Sequence, residues 1–296
     1  GAPGSGVVFR TASGDVVRAT VDAVASTDFA TTLVAPDGGS VATVEHLLAA
    51  VSACRLDDLR VDVDGPEIPI LDGSSREFIE AFERCGLMPA CKDAQKSRHS
   101  CRRYIDVKRP VHVATADETR EAWLLPKPPH AVFTAALAPG SSAADQLALA
   151  WQHCDTVFGL TLSADVDFSD RGLQRCTVET SVDRFVEDVA AARTFTFQQD
   201  IAQLWDAGLA KGGSLDCAVF FDDAGEPLNP GGLRFPDEWA RHKLLDCIGD
   251  LALAGHPLHA HYHGVRPGHA LNVALVKELL SSEENYAFAE VSSSHL

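Results

Sequence analysis

The run Arg241-His242-Lys243-Leu244-Leu245-Asp246-Cys247-Ile248-Gly249-Asp250 constrains the fold of this chain more than any other stretch. His242, Asp246 and Asp250 recur every four residues, which stacks three polar side chains along one face of an α-helix. Leu244, Leu245, Ile248 and Leu251 flank the stripe, so it points into the protein rather than into solvent. An imidazole and a carboxylate one turn apart are two ready-made ligands for a first-row metal. Taken alone, the spacing also suits an exposed pair of little energetic consequence. A buried stripe needs an answering element elsewhere in the chain.

Thr43-Val44-Glu45-His46-Leu47-Leu48-Ala49-Ala50 provides one. Thr43 reads as an N-cap, with His46 at the third helical position, where an apolar stretch begins. His46 is then a third ligand, with the Glu45 carboxylate directly beside it. Two histidines, one aspartate and a water complete a tetrahedral zinc site of the catalytic kind, its fourth position open for chemistry. A further histidine, His269, follows Pro267-Gly268 and opens a helix-like run over residues 270–280. A helix N-terminus disfavours imidazolium, so His269 needs a carboxylate to keep its proton; Asp250 is the candidate. The alternation His259-x-His261-x-His263 places three imidazoles on one face of a strand. With no carboxylate or fixed partner apparent nearby, it reads as an incidental histidine-rich face, a metal site being the alternative.

Together with these residues, the segments 43–50, Gly65-Pro66-Glu67-Ile68-Pro69-Ile70-Leu71-Asp72-Gly73-Ser74, Ala192-Arg193-Thr194-Phe195, Gly212-Gly213-Ser214-Leu215-Asp216, 228–235, 241–250 and 268–272 carry a family resemblance. In order and approximate spacing they resemble the zinc-dependent UDP-3-O-acyl-N-acetylglucosamine deacetylases of lipid A biosynthesis. The resemblance runs from about Gly6 to Val291 and weakens over 137–152. It implies an α+β fold: two similar two-layer α/β sandwich domains, residues 1–103 and 104–296, with the active site between them.

The resemblance also implies roles. His46, His242 and Asp246 match the zinc ligands, Glu45 the general base, and His269, held protonated by Asp250, the acid for the leaving amine. The Thr194 hydroxyl would stabilise the oxyanion and Lys243 would lie near the substrate head group. Arg266 and Lys127 match cations near its diphosphate. Phe195, Leu209 and Gly213 fall in an insert, about residues 195–221, from which the family builds a passage for an acyl chain. The helical recurrence of Phe195, Phe197, Ile201, Leu204, Trp205 and Leu209 also fits an ordinary core-facing helix. The implied cofactor is Zn2+ and the implied partner a UDP-linked acylated glucosamine. The chain departs from the pattern by lacking an opening strand pair with its Gly-Leu-His turn, and by an Ala-, Gly- and Ser-rich insertion at 138–152. The first departure keeps a non-catalytic, truncated remnant open beside a zinc amidohydrolase acting on another amide.

Composition sets independent bounds. A chain of 296 residues, 46% hydrophobic, is long enough for two cores. Its formal charge of −17 argues against a nucleic-acid backbone as partner. No stretch approaches the roughly 20 apolar residues of a membrane span, and no basic-then-apolar leader is present. Eight cysteines without a Cys-x-x-Cys pair read as reduced thiols, one bridge among Cys85, Cys91 and Cys101 being the alternative. The expectation is a cytoplasmic monomer, or an organelle-matrix protein if eukaryotic. Strands are expected at 7–9, 15–21, 59–63, 104–113, 158–166 and 218–221, helices at 44–53, 74–85, 182–192 and 201–208, and a linker at 88–103.

Overall fold

Among the described residues the strands form four sheets, and each takes its strands from one part of the chain. The computed structural model describes residues 1, 4–86, 101–127, 159–167, 172–198 and 214–292. In the first part, β1 (Val7–Thr11) pairs antiparallel with β2 (Val16–Arg18) and parallel with β6 (Leu59–Val63). The β1–β2 turn needs the left-handed backbone of Gly14, at φ 93°. Strands β3 (Val24–Ser26), β4 (Thr32–Val34) and β5 (Ser40–Val41) form a small antiparallel meander. Helices α1 (Glu45–Ala53) and α2 (Arg76–Cys85) complete this part.

The largest sheet has seven strands centred on β14 (Leu258–Val265). One side of β14 pairs parallel with β10 (Leu160–Asp167), which pairs in turn with β11 (Leu173–Glu179). The other side is shared: β7 (Cys101–Val107) takes the start of β14, and β9 (Glu121–Leu125) takes the rest. β8 (Val111–Ala114) and β15 (Tyr286–Ser292) extend these two. Helix α3 (Val182–Asp188) leads to a two-stranded parallel pair, β12 (Phe195–Phe197) with β13 (Val219–Phe221). Helices α4 (Glu238–Leu251) and α5 (His269–Leu280) flank β14 in sequence. The architecture is α+β.

Helix α4 holds the assembly together because it is buried nearly all round. It packs against α1 on one side, β10 and β11 on another, and α5 on a third. Leu244, Leu245, Ile248 and Leu251 are each at most 1% exposed. Burying each such side chain stabilises by about 1.5–3 kcal/mol relative to leaving it exposed. At the crossing with α1, Gly249 meets the backbone of Glu45 so closely that a Cβ there would lie 2.0 Å from the Glu45 carbonyl oxygen. The glycine is what lets the two helices touch. Alternate residues of β14 divide its two faces. Tyr262 reaches Cys247 of α4 and Asn272 of α5, so the histidines at 259, 261 and 263 face the other way.

Several expected boundaries shift for physical reasons. The strand expected over 15–21 ends at Arg18, and the chain turns through a 3-10 turn at Val21–Ala23. The strand expected over 104–113 breaks at Pro110, which has no N–H for a ladder, into β7 and β8. The helix expected over 182–192 stops at Asp188, because the carbonyls beyond it are used by other elements. Ala190 accepts from Ser75 N at 3.0 Å, and the Ala192 carbonyl lies 3.1 Å from His242 Nδ1. Phe195 opens a strand, not a helix. The expected helix at 201–208, most of the linker and the insertion at 138–152 lie outside the described residues. Cys54, Cys85, Cys176, Cys217 and Cys247 are free thiols.

Candidate metal centre and acid–base pair

The inward stripe of α4 meets the N-terminal turn of α1. His46, His242 and Asp246 are buried and offer ligand atoms within 4.8 Å of one another, the only such group among the described residues. Asp246 Oδ1 lies 3.5 Å from His46 Nε2 and 3.4 Å from His242 Nε2. These distances are long for hydrogen bonds. They suit another arrangement: a tetrahedral ion with ligand bonds of about 2.0–2.1 Å has ligand–ligand edges of about 3.3–3.4 Å. The two imidazoles stand edge to face with ring centroids 4.9 Å apart. His242 Nδ1 faces the Ala192 carbonyl at 3.1 Å, which puts the proton there and leaves Nε2 as a lone pair toward the cluster. Burial lowers the His242 pKa to about 4 against the pull of Asp246, so the ring is neutral, as a ligand must be. Burial opposes ionisation of Asp246, but the Lys243 ammonium beside it and the facing His46 ring hold the carboxyl well below its usual range. The donor set fits a divalent metal.

Thr43 does not cap α1. It adopts φ 58°, and Val44 occupies the cap position without a side-chain bond. The bridge from Ala42 to the 66–68 segment keeps the chain extended until then, so the reversal falls on Thr43. His46 is accordingly the second helical residue. Ser75 Oγ donates to the His46 carbonyl at 2.7 Å and ties α2 to this turn.

Beside the cluster stands a second constellation. His269 Nδ1 lies 2.9 Å from Asp250 Oδ2, and His269 Nε2 lies 3.9 Å from Glu45 Oε1. Glu45 is 3% exposed, and burial raises its pKa, with His269 and His46 pulling the other way. Burial would lower the His269 pKa, but the Asp250 charge and hydrogen bond overcome it and raise it to about 9. Asp250 accepts two further bonds: from Thr31 Oγ1 at 2.7 Å and from Asn272 Nδ2 at 2.9 Å. The arrangement sets a buried carboxyl and a carboxylate-backed imidazole beside one cluster of candidate metal ligands.

The segment 192–195 closes one wall. Arg193 makes a buried bidentate pair with Glu238, the first residue of α4, at 2.9 and 3.1 Å. This anchor sets the Ala192 carbonyl against His242. The Phe195 ring lies 6.2 Å from the His242 ring and joins Phe197, Phe221 and Trp239 in an aromatic group. Lys243 Nζ donates to Asp246 Oδ2 at 3.0 Å and lies 5.6 Å from the Phe195 ring centroid. Thr194 is bonded through its backbone to Gly73 O at 2.7 Å and to Val219 N at 2.8 Å. Its hydroxyl makes no hydrogen bond among the described residues.

The sequence profile described as LpxC, UDP-3-O-acyl N-acetylglycosamine deacetylase, matches residues 1–158 and 143–281 of the chain. The chain belongs to this deacetylase family. It is 36% identical to the UDP-3-O-acyl-N-acetylglucosamine deacetylase of Geobacter sp. (strain M21), over 97% of the chain and 82% of that protein. The proteins of that name from Anaeromyxobacter sp. (strain Fw109-5) and Myxococcus xanthus (strain DK1622) are 40% and 36% identical. They are matched over 94% and 96% of the chain, and over 78% and 79% of their own lengths.

Not every residue matched to the deacetylase family comes to this cluster. Arg266, at φ 50°, sits in the turn that delivers His269. Lys127 lies at the other end of the sheet. Leu125 pairs with His261 and Glu121 with Val265, so Lys127 is about 20 Å of strand away from the Val265 end. The cation actually beside Arg266 is Arg120, whose Nε donates to the Arg266 carbonyl at 2.8 Å. Leu209 and Gly213 lie outside the described residues. The histidine face of β14 does have fixed partners, against expectation. Ser163 Oγ is 3.2 Å from His261 Nε2 and 2.8 Å from His263 Nδ1, and Gly159 N donates to His259 Nδ1. Thr31 was missed by sequence reasoning, since nothing local marks a residue whose bonds are long-range. Asn272 closes the 268–272 segment, but its bond to Asp250 has no sequence signal beyond one helical turn from His269.

Proposed function

We propose that this chain hydrolyses the N-acetyl group of UDP-3-O-acyl-N-acetylglucosamine, releasing acetate and the free amine, as a zinc-dependent step of lipid A biosynthesis. The observation that carries the reading is the juxtaposition of the His46–His242–Asp246 cluster with a base and an acid 3.9 Å apart. Family membership supplies the substrate class. Zinc held by the three ligands would supply Lewis acidity toward an amide carbonyl and toward water.

The chain's own residues account for the proton traffic. Glu45, ionised, takes the proton of the attacking water, and His269 gives one to the departing nitrogen. Asp250 keeps His269 charged up to a pKa of about 9, well above neutrality. Thr194, free of other bonds among the described residues, donates its hydroxyl to the developing oxyanion. Lys243 faces the sugar, and Arg266, with Arg120 behind it, the diphosphate. The aromatic group that starts at Phe195 forms the near wall of the acyl passage, to which Leu209 and Gly213 are assigned. Each buried methylene contributes about 0.8 kcal/mol, so chain-length preference sits in that wall.

The reading includes two domains, 1–103 and 104–296, meeting at α1 and α4. It also includes a monomer in the bacterial cytoplasm. The free thiols of Cys54, Cys85, Cys176, Cys217 and Cys247 support the cytoplasm. Among the described residues no helix is long and apolar enough to cross a membrane. Acetate release from the UDP-linked substrate, measured alongside metal stoichiometry and a panel of other amides, tests it. Turnover of other amides but not of this substrate would overturn the substrate; metal-loaded protein inert toward all of them would overturn the activity.

A further inference from the structure

Thr31 stands between the two proton-transfer groups and touches both supports. It is 0% exposed and immediately precedes β4. Its N–H donates to Glu45 Oε2 at 3.0 Å, and its hydroxyl donates to Asp250 Oδ1 at 2.7 Å, 219 residues away in sequence. The Asp250 oxygens divide their work. Oδ2 receives His269 Nδ1 and Asn272 Nδ2, while Oδ1 receives Thr31. Asn272 is itself oriented by the Tyr262 hydroxyl, which donates to Asn272 Oδ1 at 2.7 Å. Without the threonine hydroxyl, Oδ1 would be a buried charged oxygen short of a donor. The carboxylate could then rotate about the two contacts on Oδ2, carrying the His269 ring with it.

We propose that Thr31 is a positioning residue that sets the geometry of the acid–base pair from both sides. Its backbone fixes which Glu45 oxygen faces His269. Its hydroxyl fixes the plane of the Asp250 carboxylate and, through it, the ring of His269. Among the described residues no hydrogen bond joins Thr31 to His46, His242 or Asp246. The inference rests on the deacetylase reading for its kinetic consequence, but not for its geometry.

Thr31→Val keeps the shape and the N–H while deleting the hydroxyl, and Thr31→Ser keeps the hydroxyl while deleting the methyl. In metal-loaded protein, Thr31→Val should lower kcat 10- to 100-fold with KM within twofold and metal content unchanged; Thr31→Ser should stay within threefold of wild type. A second readout needs no turnover: the low-field proton resonance of the His269 Nδ1–H, assigned by its loss in His269→Ala. It should shift or broaden in Thr31→Val and persist in Thr31→Ser. An unchanged resonance and kcat in folded Thr31→Val would overturn the proposal, as would a Thr31→Ser defect equal to that of valine. If wild type releases no acetate but the resonance responds, the positioning stands and the substrate reading falls.

Discussion

Replacing Gly249 with alanine separates two arguments that predict opposite signs. Helix propensity alone favours the change by about 1 kcal/mol, since glycine is the poorest ordinary residue in a helix interior. The structure opposes it. A Cβ at 249 would lie 2.0 Å from the Glu45 carbonyl oxygen and 2.9 Å from its Cα. Ordinary contact requires well over 3 Å, so α1 and α4 must part by about 1 Å or more, at an overpacking cost of about 1–3 kcal/mol. The helices carry His46 on one side and His242 with Asp246 on the other, and metal–ligand distances tolerate only about 0.2 Å. Gly249→Ala should therefore melt a few degrees below wild type, by about 2–4 °C per kcal/mol for a chain of this size. It should also bind metal at least tenfold more weakly in a chelator competition. A variant that melts at or above wild type and holds its full metal complement would refute the close-approach argument.

Four further outcomes follow from the site. His242→Ala or Asp246→Ala should lose metal and turnover together, whereas a triple change of His259, His261 and His263 should leave metal content intact; elemental analysis decides. The rate should be bell-shaped in pH. It should rise as Glu45 deprotonates above the ordinary carboxylate range and fall as His269 loses its proton near 9, a limb that His269→Ala should abolish along with a 10²–10⁴-fold loss of kcat. Because the folded His269 pKa is raised, its pair with Asp250 stabilises the fold fully below about 6.5 and loses that contribution as pH climbs through about 9, readable from melting curves. Arg266→Ala should raise KM for the UDP-linked substrate while Lys127→Ala leaves it within twofold, and Ala218→Trp, beside β13, should shift preference to shorter acyl chains without altering metal content.

The polar stripe of α4 was legible because its spacing is local. His242, Asp246 and Asp250 share one helix, and flanking leucines force their stripe inward whatever the rest of the chain does. The β14 histidines were legible as a strand face by the same logic of period. What escaped was whatever depends on which strand lies beside which. Lys127 and Arg120 lie on either side of β9, and only the antiparallel pairing of β9 with β14 decides which of them stands near His269. Thr43 carries the composition of a cap, yet the bridge from Ala42 to the 66–68 segment takes precedence over it. The early end of α3 has the same origin: tertiary acceptors for Ser75 and His242 outweigh helix continuation.

The crossing of α1 and α4 also dictates when this chemistry can exist during synthesis. Glu45, His46 and Thr31 leave the ribosome early, but their partners follow only with α4 and α5. At about 5–20 residues per second, the early half waits roughly ten seconds or more with its polar groups unmatched. Such long-range closure is also slow to fold, because the loop entropy is lost before the contacts reward it. A nascent or half-folded chain therefore has no ligand cluster with which to capture metal and no acid to set beside its base. On the proposed function, metal uptake would report that α1 and α4 have both arrived and docked.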